Sequence, residues 1–147
     1  MKTEIERFEP SEITNKYKQC KAWQFEMETW KDRIQFMKNR LIQMLGEIED
    51  ENRKIEARSF FNELDGRLKG NLEWLINKLD DHEFCLKSFF KESNLKTVSE
   101  VRSRHDFYTR EVLIFRDKYT EMRADFFELI KPILRNSSGQ DQLKSVA

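Results

Sequence analysis

The residue types from which metal and nucleophilic sites are built are scarce in this chain: two cysteines, Cys20 and Cys85, and two histidines, His82 and His105. Their spacing is informative. If the chain reverses direction near residues 51 and 94, Cys20, then His82 with Glu83 and Cys85, and then His105 fall within about two helical turns of one height. Thiolate and imidazole donors from facing helices are what zinc or another transition metal takes, and Glu83 would add an oxygen ligand or an acceptor behind the ligands. The plainer reading is a satisfied core histidine at position 82 and small buried thiols, which behave as apolar side chains.

Other chemistries are excluded by spacing. A di-iron carboxylate centre needs Glu-x-x-His pairs, but Leu79 stands three residues before His82 and Arg102 three before His105. No histidine recurs four residues after another, and Gly66 and Gly70 lack the strand and Lys-Ser/Thr of a phosphate loop. Cys85 with His82 would make a nucleophile and base, without a third group to orient them. The expectation is therefore a protein that is not an enzyme.

Positioning such residues is the task of long helices. Phe61, Leu64, Leu68, Leu72, Leu75, Leu79, His82, Leu86 and Phe90 recur every three or four residues, the spacing of one helix face. Trp23, Met27, Trp30, Ile34, Met37, Leu41, Leu45 and Ile48 form a second stripe. Val101, Tyr108, Val112, Phe115, Tyr119, Met122, Phe126, Leu129 and Ile133 form a third. Four Gly and two Pro in 147 residues leave few forced breaks. The fold class expected is all-α, an up-down-up antiparallel bundle of three long, coiled-coil-like helices at about 11–48, 53–92 and 97–135.

Around that bundle, residues 1–10 read as a lead-in whose Phe8 tucks against the helices, and Pro10-Ser11 as a helix start. Residues 11–136 form one domain and 137–147 a polar, mobile tail. Residues 49–52 are read as a turn, with continuous helix as the alternative, which would produce an elongated or swapped dimer. Residues 93–96 form the second turn. Thr97 and Glu100 match a capping box, and Pro132 is placed to kink or end the last helix.

Lys plus Arg and Asp plus Glu number 27 each, a formal net charge of zero, which argues against a nucleic-acid partner. No apolar run reaches the roughly 18 residues of a membrane span, and no signal-like core opens the chain, so a cytoplasmic location with reduced thiols is expected. Phe25 and Phe36, eleven residues apart, share the side of the first helix opposite its apolar stripe. Gly66, Gly70 and Trp74 share the outer side of the second. Aromatics and helix-weakening glycines on a solvent face suggest a covering chain, either a second copy in a homodimer or another protein.

Trp23, the run Lys38-Asn39-Arg40-Leu41, residues 68–83 ending in Asp81-His82-Glu83, and residues 111–129 resemble short, uncharacterised bacterial helical-bundle proteins. The resemblance implies a small cytoplasmic all-helical protein with no assigned activity and no functional residues to carry over. Two functions follow from the residues. The first is a non-enzymatic interaction or assembly module with no cofactor. The alternative is a bundle that binds zinc or another transition metal in a sensory or redox role.

Overall fold

A computed structural model describes residues 8–90 and 97–146, with backbone only for Pro10 and for the last eleven of these. Among the described residues all regular structure is helical: α1 (Pro10–Leu45), α2 (Glu51–Glu63), a π-helical turn (Leu64–Leu68), α3 (Lys69–Ser88) and α4 (Val98–Val146). No helix among them is long and apolar enough to cross a membrane. Residues 1–7 of the lead-in expected at 1–10, and the turn expected at 93–96, lie outside the described residues.

The first connection is a true break in the helix. The chain leaves α1 at Leu45, passes through a turn at Gly46 and Glu47, and re-enters helix at Glu51. Glycine is a weak helix former, and Gly46 lies just where α1 stops. Asp50 caps α2: its backbone is extended (φ −72°, ψ 119°) and its carboxylate accepts from the Asn52 N–H at 2.9 Å. The turn expected at 49–52 thus begins three residues earlier, and residues 51–52 are already helical.

Between α2 and α3 the backbone stays right-handed helical at Glu63, Leu64 and Lys69, but the Lys69 N–H reaches back to the Leu64 carbonyl, five residues away. That wider turn keeps both Leu64 and Leu68 buried while Asp65, Gly66 and Arg67 face outward. At the start of α4 the Thr97 hydroxyl accepts from the Glu100 N–H at 3.1 Å, the first half of the expected capping box. Pro132 does not end α4, which continues to Val146; the backbone of residues 137–146, read from composition as a mobile tail, is helical.

The chain divides into two compact units, each drawing on three helical stretches. The first comprises Met1–Trp30 and Asn71–Arg116, the second Lys31–Gly70 and Asp117–Ala147. The interior of the first unit holds Trp23, Met27 and Trp30 from α1, Leu75, Leu79 and Leu86 from α3, and Val101, Val112 and Phe115 from α4. Trp30 and Phe115 pack at 5.1 Å between ring centroids. Phe8 meets Phe89 edge-on at 4.9 Å, as expected of a residue tucked against the helices.

In the second unit Ile34, Met37, Leu41, Leu64, Leu68, Phe126, Ile130 and Ile133 are buried. Ile130 is buried in place of the expected Leu129, which is half-buried, as is Met122. Lys38 is also buried, its ammonium 2.6 Å from Asp65 in the π turn and over the Phe61 ring.

Candidate functional site

All five residues singled out for metal chemistry belong to the first unit. The α3 stripe turns His82 inward to full burial, and α4 does the same with His105, which is 3% exposed. The two rings meet directly: His82 Nε2 and His105 Nδ1 are 2.8 Å apart. His105 Nε2 in turn lies 2.7 Å from Gln19 Oε1 on α1, a residue at the surface. Trp23 stacks on His105 at 4.9 Å with planes 27° apart, and Tyr108 lies 5.0 Å from the His82 ring.

The orientation of the Gln19 amide sets the direction of this chain. With its oxygen toward His105, Nε2–H of His105 donates to Gln19, and His82 Nε2–H donates to His105 Nδ1. His82 Nδ1 is then a bare lone pair, buried and without a hydrogen-bond partner. Turning the amide over reverses each donor and leaves an unpartnered N–H at the same atom. Burial holds both rings neutral. His82 is driven down to about 3, with the facing His105 adding to the effect of burial, and His105 down to about 4, with Lys16 adding.

The remaining candidates are engaged elsewhere. Cys20 is fully buried, and its thiol donates to the Leu79 carbonyl at 3.6 Å. Burial, reinforced by Glu83, pushes that thiol up to about 12, which suppresses the thiolate that a metal or an electrophile would need. Cys85 is buried as well, and no disulfide joins the two. Glu83 turns toward cations: Lys87 at 2.8 Å and Lys21 at 3.1 Å, which hold its carboxyl down to about 2.

Three of the four imidazole nitrogens are thus committed to hydrogen bonds within this chain of side chains. Among the described residues no three His, Cys, Asp or Glu side chains form a group that could hold a metal ion. What the structure brings together is a hydrogen-bonded relay, Gln19 to His105 to His82, with aromatic rings around it.

Sequence spacing did not single out Gln19, or the two forked ion pairs that flank the relay. Arg102 grips Glu12 with both contacts at 2.8 Å, and Arg116 grips Glu26 at 3.0 and 2.7 Å. Glu12 and Glu26 are fourteen residues apart, as are Arg102 and Arg116. That shared interval is the signal by which they could have been found. Charge-assisted forks of this kind fix register more than they add stability at a partly exposed site.

The outward-facing candidates are where the spacing put them. In the first unit Phe25 is 77% and Trp74 44% exposed, joined by Phe84 at 75%, which the spacing argument passed over. In the second, Phe36 is 65% exposed, and a Cβ built at Gly66 or Gly70 would meet nothing within 4 Å. No protein-family model, curated protein or solved structure matches this chain.

Proposed function

We propose that the chain is a non-enzymatic interaction or assembly module: an up-down-up, coiled-coil-like bundle whose outer aromatics receive another protein chain, most simply a second copy of itself. One observation carries the reading. Phe25 and Phe84 in the first unit leave about three quarters of their surface in water. Burying a phenyl side chain stabilises by roughly 1.5–3 kcal/mol, so a chain that covers them gains substantially from each.

The helix order draws support from residue offsets. Lys21 with Glu83 and Gln24 with Asp80 pair so that one number rises as the other falls, which suits antiparallel neighbours. Glu12 with Arg102 and Glu26 with Arg116 rise together, which suits parallel ones. Their interval of fourteen is two heptads, the repeat of a coiled coil.

Sedimentation of the full chain across the micromolar range tests the module reading. Mass that rises with concentration, and that falls back to the monomer in Phe25→Ser and Phe84→Ser, is the expected result. A strict monomer at every concentration removes the self-association version.

A further inference from the structure

The first unit holds a buried polar group that neither core packing nor partner binding uses. We infer that the Gln19–His105–His82 relay is an acid-operated latch, in which proton uptake by the two facing imidazoles opens the packing of α1, α3 and α4 within the first unit. The inference is independent of whether another chain covers the outer aromatics.

Two neutral rings share one hydrogen across 2.8 Å. A first added proton places a charge in an interior that excludes water, and leaves hydrogens on all four ring nitrogens but one. His82 Nδ1–H then has no acceptor, because that atom has no partner in the folded protein. A second proton puts hydrogens on both facing nitrogens, and the bond between the rings can no longer form.

The surroundings do not compensate. Lys16 from α1 and Arg104 and Asp106 from α4 act electrostatically on the pair, the Tyr108 ring packs on His82, and the neutral Cys20 thiol from α1 acts on that phenol. From α3, Asp81 and the Cys85 thiol act on the same Tyr108. Lys16 and Arg104 oppose a positive charge on His82, Lys16 opposes it on His105, and Asp106 alone favours it there. Neither ring forms a hydrogen bond to a carboxylate among the described residues. Gln19, exposed on α1, gives the relay its contact with solvent.

In the opened unit both rings regain a value of about 6.5, so opening takes up two protons. The open population of the first unit therefore rises up to about 100-fold for each pH unit below that value, until the folded rings themselves titrate.

Hydrogen exchange of the full-length chain from pH 7.5 to 4.5, corrected for intrinsic rates, reads this directly. Protection around Trp23, Leu79 and Tyr108 is expected to fall with a slope near two protons. The His82→Leu/His105→Leu double variant is expected to hold its protection across the same range. Equal profiles in the two proteins would overturn the inference.

Imidazole nitrogen NMR of the unaltered protein provides a measurement that does not depend on the variant folding. Rings that stay neutral until the unit opens support the latch. A ring that titrates near 6.5 while protection persists refutes it.

Discussion

Gly66 and Gly70 offer the sharpest separation of what the fold needs from what a partner needs. Both are exposed and lie within helix, and a Cβ at either would meet nothing within 4 Å. Neither has a backbone conformation that L side chains avoid. Alanine should therefore fit without strain and recover the helix propensity that glycine lacks, about 0.8–1 kcal/mol at each site. The Gly66→Ala/Gly70→Ala variant gains about 2 kcal/mol. With an unfolding entropy of about 2.1 cal/mol/K per residue, a chain of this length melting in one step has about 0.3 kcal/mol/K, so Tm rises by about 6 °C. Differential scanning calorimetry measures that rise, and sedimentation measures association on the same samples. If another helix lies against this face, the added methyls stand in its path and association weakens at least tenfold while the monomer becomes more stable. A fall in Tm for either single variant would refute the reasoning, because it would mean that the fold itself requires the missing Cβ.

Two further outcomes follow from charged side chains. Lys38→Met should change stability by no more than about 1 kcal/mol, since methionine keeps the buried stem apolar and the Asp65 carboxylate it leaves behind is half exposed to water. Asp65→Asn, which leaves the buried ammonium facing a neutral group, should be the worse of the two in urea melts; the reverse order would show that Asp65 does not hold Lys38. Glu83 predicts a separate acid limb. Its carboxyl, held down to about 2 by Lys87 and Lys21, contributes stability that is complete above its ordinary value of 4.5 and is lost as pH falls from there toward 2. Glu83→Gln should reduce the loss of stability between those limits in urea melts at stepped pH, where the histidines still contribute down to about 3, and leave the profile above 4.5 unchanged.

The apolar stripes were legible because burial has the period of the helix. Trp23, Met27, Trp30, Leu75, Leu79, Val112 and Phe115 are all inside, as their spacing requires. Boundaries were less so. The polar run Glu49-Asp50-Glu51-Asn52 resembles a turn, but α1 has already stopped before Gly46, and Asp50 caps the next helix. The π turn at Leu64–Leu68 is a choice of backbone acceptor, Leu64 and not Asp65 for the Lys69 N–H, and it leaves no mark in a pattern of steps of three and four. Height along the helices put Cys20, His82, Glu83, Cys85 and His105 in one unit. Which way each ring and thiol turns depends on neighbours such as Gln19, Leu79 and Lys87, which height along the helices does not specify.

Stability alone does not account for the histidine pair. A hydrogen bond between two neutral groups contributes about 1 kcal/mol net, and the unpartnered Nδ1 of His82 gives back about 1–3 kcal/mol through lost solvation. Leucine at both positions would continue the stripe of Leu75, Leu79 and Leu86 and remove both polar groups at once, a replacement that is commonly neutral or stabilising. Cys20 shows how the same interior accommodates a polar atom at little cost, with one weak donor and one carbonyl acceptor. The imidazoles differ in that, once the unit opens, they take up protons from just below neutral pH, which leucines cannot do.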